Sequence, residues 1–263
     1  MNRTIYDLIG LSAGVMFILA LKGLSHPRTA RRGNLLGAIG ATIATIAVFF
    51  YADKEGSLPL NNLGWILGAI AFGVVVGVPA ARKVQMTAMP QLVALFNGVG
   101  GGAAALVAIV EYLKLGDTAT TAEVVATVFT VLVGCTSFSG SIVTFLKLQE
   151  LMTTRPVIFP GGRFVIAATL GGTIASAIWV INALGTTPLL VLAGLSLLFG
   201  VLFVLPVGGA DVPIVISLLN AFTGLTVAAG GYVLDATLLI IAGTLVGASG
   251  TILTRLMAEA MGR

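Results

Sequence analysis

The sequence predicts an all-α fold: a polytopic integral membrane helix bundle of about nine transmembrane helices, with the N-terminus outside and the C-terminus in the cytoplasm. Three observations predict it. Of 263 residues, 57% are hydrophobic and 9% charged, against about a quarter charged in soluble domains. The mean hydropathy is +1.08. Apolar runs long enough to cross a hydrocarbon layer of about 30 Å, which takes about 20 helical residues, follow one another along the whole chain. This is not the composition of a soluble enzyme, and little is left for an extramembrane part, so 1–263 reads as a single transmembrane domain.

Runs bounded by charge, Pro or Gly give spans at about 5–24, 34–52, 62–80, 90–113, 122–146, 164–183, 187–205, 212–234 and 236–257, with ends fixed to a few residues. The first is framed by Arg3 and Asp7, lacks a basic leader and has no small-residue cleavage site after Lys22, so it is a span and not a signal peptide. The second follows a basic loop holding His26, Arg28, Arg31 and Arg32, and the third ends before Arg82 and Lys83. The fourth starts at Pro90, and the eighth follows the Pro/Gly-rich loop 206–213.

The charges set the orientation. The loops after spans 1, 3 and 5 and the C-terminal tail carry Arg28, Arg31, Arg32, Arg82, Lys83, Lys147, Arg155, Arg163, Arg255 and Arg263, with Lys22 at the edge of span 1. The other side holds Arg3, Lys54 and Lys114, together with Asp7, Asp53, Glu55, Glu111, Asp117, Glu123 and Asp235. Eleven basic residues against three is a strong positive-inside bias. The net charge of +4 is therefore a topology device, which removes a nucleic-acid reading. A single cysteine, Cys135, excludes an intrachain disulfide or a CxxC site, and a single histidine, His26, excludes a His-rich metal cluster. Cys135 reads as a small packing residue and His26 as a solvated loop residue.

Glycines recur at four-residue spacing as Gly10/Gly14, Gly64/Gly68, Gly73/Gly77, Gly98/Gly102 and Gly243/Gly247. Missing side chains at this spacing let helix backbones approach closely, which predicts a tight bundle. The run 98–102 (GVGGG) lies inside an apolar span with no preceding strand and no P-loop Lys, so it is helix packing and not a phosphate cradle.

Polar side chains inside spans are costly and should face the bundle interior or a watered path. In span 5, Thr130, Gly134, Ser137, Ser141 and Thr144 fall on one helical face. Span 8 repeats the pattern with Ser217, Asn220, Thr223, Gly224 and Gly231, and span 9 carries Gly243, Gly247, Gly250 and Thr254. Asn220 lies about 12 Å into its helix and Asn97 about 10 Å beyond Pro90. Two readings stand side by side: hydroxyls bonded back to their own helix with asparagines linking helices, or an ion or water path. No Asp, Glu, His, Lys or Arg falls near the middle of any span, so a proton path here needs water, or a titrating group from a partner. Asp211, at the start of span 8, is either a helix N-cap or dipole partner or a gate or docking charge at the cytoplasmic mouth.

Residues 86–98 (MTAMPQLVALFNG), 141–149 (SIVTFLKLQ), 208–220 (GGADVPIVISLLN) and 243–253 (GTLVGASGTIL) strongly resemble the membrane part of the beta subunit of proton-translocating nicotinamide nucleotide transhydrogenase, and the resemblance covers essentially the whole chain. It implies that an NAD(H)-binding domain of an alpha subunit and an NADP(H)-binding domain following the beta membrane part exchange a hydride in water. The membrane domain passes protons inward and sets the conformation of the NADP(H) domain. On this resemblance the chain holds no cofactor, lacks the family's C-terminal NADP(H)-binding domain and transfers no hydride alone. Its partners are the alpha-subunit membrane helices, the two nucleotide-binding domains, a second alpha–beta unit and the lipid bilayer of a bacterial inner membrane.

Residue by residue, Asn220 matches the family's membrane asparagine implicated in proton passage and Asp211 the carboxylate at the cytoplasmic end of that helix. Gly224, Gly231, Gly243, Gly247 and Gly250 match small-residue positions used in coupling. Asn97 stands where many members carry a proton-handling histidine, and asparagine does not titrate. The expected mechanism is a watered path lined by Asn97, Ser137, Ser141, Ser217, Asn220 and Thr223, with a partner-subunit histidine pointing into the same space. Arrival of the proton shifts Asp211 and the tail near Arg255 and Arg263. A small-solute secondary transporter or channel is the other class that nine polar-striped spans suit, and broken midplane helices would support it.

Overall fold

The computed structural model describes residues 3–50 and 62–263. Asp53, Lys54 and Glu55, placed above on the outer side, lie outside the described residues. Nine long helices account for nearly all of the described chain: α1 (Arg3–Leu24), α2 (Pro27–Phe50), α3 (Leu63–Lys83), α4 (Met89–Leu115), α5 (Thr121–Leu148), α6 (Gly162–Asn182), α7 (Thr186–Val204), α8 (Val212–Val233) and α9 (Thr237–Ala260). All nine are long and apolar enough to cross a membrane. Short 3-10 turns lead into α4 (Met86–Ala88) and α8 (Gly209–Asp211).

Local chemistry sets the helix starts. Pro90 and Pro213 occupy the first turns of α4 and α8, where a missing N–H is no loss. Thr120 and Glu123 form a capping box at α5, the Thr120 hydroxyl accepting from the Glu123 N–H at 3.3 Å and Glu123 Oε2 accepting from the Thr120 N–H at 2.8 Å. α2 begins at Pro27, earlier than the span predicted above. Arg28, Arg31 and Arg32 therefore belong to its first two turns and not to a loop, while His26 sits exposed in the tight turn before it.

The chain divides into two compact units, Met1–Val84 and Gln85–Arg263. In the first, α1 and α2 pack through small residues: Ala13, Ala20, Ala44 and Ala47 are buried. A Cβ placed on Gly33 would meet the Ala20 carbonyl oxygen at 2.8 Å. α3 behaves differently. None of its residues is buried, and nothing lies within 4 Å of a Cβ built at Gly64, Gly68, Gly73 or Gly77. The close packing expected of those two glycine pairs is thus not found among the described residues, because no neighbouring helix approaches that face.

In the second unit α5 is central, packed by α4, α6, α7 and α8, with α9 laid on α8. One apolar layer joins Tyr112 of α4, Val131 and Cys135 of α5, Val180 of α6 and Leu189 and Leu192 of α7. A second joins Val143, Val204, Val215 and Leu219. Outward faces carry Leu, Ile, Val and Phe, the surface that lipid accepts and water does not.

Candidate functional site: a polar seam and a glycine crossing

Three helices bring their polar residues together midway along the second unit. Asn97 lies about 12 Å along α4, buried against α5, where its side-chain amide donates to Ser137 Oγ at 3.2 Å and Ser141 Oγ at 2.9 Å. Ser137 in turn reaches α8: its Oγ lies 3.1 Å from the Leu219 carbonyl and 2.5 Å from Thr223 Oγ1. Thr223 also reaches the Leu219 carbonyl, at 3.0 Å. All four side chains are at least nine-tenths buried.

Close backbones make this reach possible. A Cβ on Gly134 would meet the Gly101 carbonyl oxygen at 2.7 Å, and one on Gly98 would meet the Ser141 side chain at 3.1 Å. Two short side chains can therefore bond across α4 and α5, as small-residue crossings in membranes allow. The same glycines settle the run 98–102: it is continuous helix within α4, with its amides committed to helical bonds, and offers no cradle for a nucleotide phosphate.

The hydroxyl stripe of α5 divides. At its ends Thr130 bonds back to the Ala126 carbonyl and Thr144 to the Gly140 carbonyl, both at 2.8 Å, the local habit of helical hydroxyls. Ser137 and Ser141 alone of the stripe join the network around Asn97. One end of that network stays open. Asn97 Oδ1 is buried and, among the described residues, has no hydrogen-bond partner, an acceptor whose desolvation costs about 1–3 kcal/mol until something donates to it.

Two expected members sit outside the network. Ser217 faces α9, accepting from Thr254 Oγ1 at 2.9 Å and lying 3.4 Å from the Gly250 carbonyl. Thr254 thus bridges α8 and α9, a role its place in a small-residue stripe did not announce. Asn220 is half-buried and, among the described residues, makes no side-chain hydrogen bond. At 100° per residue it falls between the α8 face holding Leu219 and Thr223 and the face holding Ser217 and Gly224.

On that second face α8 and α9 meet backbone to backbone. A Cβ on Gly224 would lie 2.6 Å from the Gly247 nitrogen, and one on Gly243 would collide with the backbone of Ala228 and Gly224. A Cβ on Gly231 would meet Leu239 at 2.7 Å and one on Gly250 would meet Ala221 at 2.9 Å, whereas one on Gly247 meets the Leu225 side chain at 2.7 Å. All five glycines are buried.

Below this crossing, Asp211 occupies the N-cap position of α8 without making a side-chain cap bond. Its carboxylate instead accepts from Arg263 Nε at 2.9 Å, a part-exposed pair lining an open groove of about 590 Å³ with Pro156, Pro206 and Ile214. Arg255 pairs with Glu259 at 2.8 Å on the exposed side of α9. Among the described residues no group of three or more His, Cys, Asp or Glu side chains is placed to hold a metal ion.

Several basic residues counted as loop charges in the sequence lie in helices, Arg82 and Lys83 at the end of α3 and Arg163 at the start of α6 among them, but one is buried. Lys147, counted there as a loop charge, is the penultimate residue of α5 and is fully buried. Its ammonium donates to the carbonyls of Val204, Leu205 and Val207 at 3.2, 2.6 and 2.7 Å. Those acceptors lie 57 to 60 residues further along the chain, so no local pattern points to them.

Residues 6–263 match the family model described as NAD(P) transhydrogenase beta subunit. A curated NAD(P) transhydrogenase subunit beta of Rhodospirillum rubrum is 40% identical over 258 residues, covering 95% of this chain and 54% of the relative. The corresponding protein of a named strain of that organism aligns with the same identity and coverage. The chain thus spans about half the length of the curated relatives it matches.

Proposed function

The chain belongs to the NAD(P) transhydrogenase beta-subunit family, and on that premise we propose that it is the membrane domain through which protons move inward to drive hydride transfer between NAD(H) and NADP(H). The hydride step takes place on nucleotide-binding domains outside these nine spans. Alpha-subunit membrane helices complete the bundle, alpha–beta units pair as a dimer, and the protein is a multi-pass component of a bacterial inner membrane.

The observation that carries this reading is the open acceptor of Asn97 in an otherwise satisfied network. A buried carbonyl oxygen in a membrane bundle calls for a donor, either a bound water or a side chain of a neighbouring subunit. The cluster cannot relay a proton alone. Asn97 does not titrate, and the hydroxyl chain from Ser137 through Thr223 ends on a backbone carbonyl. The proton is therefore carried by water past Asn97 and Ser141 of the seam and past Asn220 beside it on α8, and a partner histidine supplies the titrating group. Continuous helices through α4, α5, α8 and α9 do not supply the broken midplane segments that a small-solute transporter would use.

Arrival of the proton then acts on Asp211 and Arg263 at the mouth and on the fit between α8 and α9, a two-state element that both the proton and the NADP(H) domain bias. The test uses the full-length subunit assembled with its partner in sealed vesicles. Replacing each partner-helix histidine in turn abolishes nucleotide-driven proton uptake in one variant, and the loss is followed with an entrapped pH dye. Uptake that survives every replacement overturns the partner-histidine step.

A further inference from the structure

We infer that Lys147 is a positioning residue for the Asp211 mouth: a buried ammonium that ties the lower end of α5 to the loop from which α8 starts. The inference rests on the coupling role proposed above and names a part of its machinery.

The geometry is specific. An ammonium has three N–H donors and no acceptor, and each Lys147 donor has a carbonyl: Val204, the last residue of α7, then Leu205 and Val207 in the loop that follows. The last carbonyls of a helix have no partner within it and carry the negative end of its dipole. A cation placed there is compensated without a carboxylate, and no ion pair to Lys147 is found among the described residues. Burying a charge so completely is expensive unless every donor is met, which is the arrangement here.

The clamped loop leads directly to the gate. Val207 is four residues from Asp211, and the Asp211 N–H bonds back to the Gly208 carbonyl at 2.9 Å. The loop's other side is stitched to the α5–α6 connection, Gly209 N–H to the Thr154 carbonyl at 2.9 Å and Val157 N–H to the Leu205 carbonyl at 3.0 Å. Lys147 lies on the helix that carries Ser137 and Ser141, six residues beyond Ser141. Any displacement of α5 at the polar seam is thus transmitted through a rigid helix and three hydrogen bonds to the turn that aims Asp211 at Arg263.

The experiment compares wild type, Lys147→Met and Lys147→Gln in the full-length subunit assembled with its partner in vesicles. Hydrogen exchange of the 205–211 amides is measured alongside turnover with and without an imposed proton gradient. Methionine keeps the unbranched apolar stem and removes all donors, and glutamine keeps two. The expected order is at least tenfold faster exchange in Lys147→Met with an intermediate rate in Lys147→Gln. The ratio of gradient-driven to zero-gradient turnover falls at least tenfold in Lys147→Met and partially in Lys147→Gln. A purely structural cap would lower thermal stability and leave that ratio alone.

If Lys147→Met does not assemble, Lys147→Gln carries the comparison. Either variant assembling with a wild-type ratio, or with unchanged exchange in 205–211, overturns the inference while leaving the coupling role standing. A wild-type complex whose turnover ignores the gradient overturns both.

Discussion

The two faces of α8 solve the problem of touching another helix in opposite ways. Toward α5 it presents Leu219 and Thr223, and the contact is made by side chains and hydrogen bonds. Toward α9 it presents Gly224 and Gly231, where the contact is made by bare backbone, with one side-chain bond from Thr254 to Ser217 beside it. The first kind of contact depends on which protons sit where. The second depends mainly on shape, with the single Thr254–Ser217 hydrogen bond beside the glycines. A helix with one face of each kind is suited to convert a change of hydrogen bonding into a change of position, since lost or gained bonds on one side are answered by displacement along the other.

Variants on the two faces break or sharpen this contrast, and the largest effect is expected at Gly243. A leucine there collides with the backbone of Ala228 and Gly224, which cannot rotate away, so α8 and α9 must part. Such overpacking costs about 1–3 kcal/mol or more, and Gly243→Leu should give little assembled complex by size-exclusion chromatography. Gly247→Leu meets the side chain of Leu225, which can move. The complex should assemble and bind NAD(H) normally, yet lose proton-linked turnover, and unchanged turnover in vesicles would count against a coupling role for the crossing.

On the hydrogen-bonded face the expected costs are smaller. Ser137→Ala strips one acceptor from the Asn97 amide and one partner from Thr223, a loss of about 1–3 kcal/mol that a thermal-unfolding comparison of the assembled complexes will register. Asn220→Leu removes no hydrogen bond among the described residues, so stability should change by less than about 0.5 kcal/mol while proton uptake falls at least tenfold; a leucine variant pumping at the wild-type rate would exclude Asn220 from the path. A similarly small stability effect belongs to Asp211→Asn. Its partly exposed pair with Arg263 is worth about 0–1 kcal/mol, and the variant should unfold within a degree or two of wild type.

Much of the fold was legible because membrane insertion is nearly a one-dimensional problem. Apolar runs become helices, and the observed ends fall within a few residues of those read from sequence except at Pro27, where an N1 proline started α2 before its basic turn ended. The site was legible in part. Spacing placed Thr130, Ser137, Ser141 and Thr144 on one face, but the choice between bonding back to the same helix and reaching across depends on how closely α4 approaches, and Gly101 and Gly134 set that. The bridge from Thr254 to Ser217 depends on the register of two helices, and the burial of Lys147 depends on carbonyls nearly sixty residues away, where side-chain periodicity carries no information. The glycines of α3 fit the small-residue pattern as well as those of α9, and among the described residues they have no neighbour. The pattern states that a face can be approached closely and does not state by what.

The burial of Cys135 has a practical consequence. The chain's single thiol is enclosed by the apolar layer of α4, α5, α6 and α7, where water-soluble maleimides do not reach. A cysteine introduced at an exposed position such as Arg155 or Tyr232 would then be the reactive thiol of this chain toward an impermeant reagent. Labelling from one side of a sealed vesicle would read the orientation of each connection with the native residue left in place.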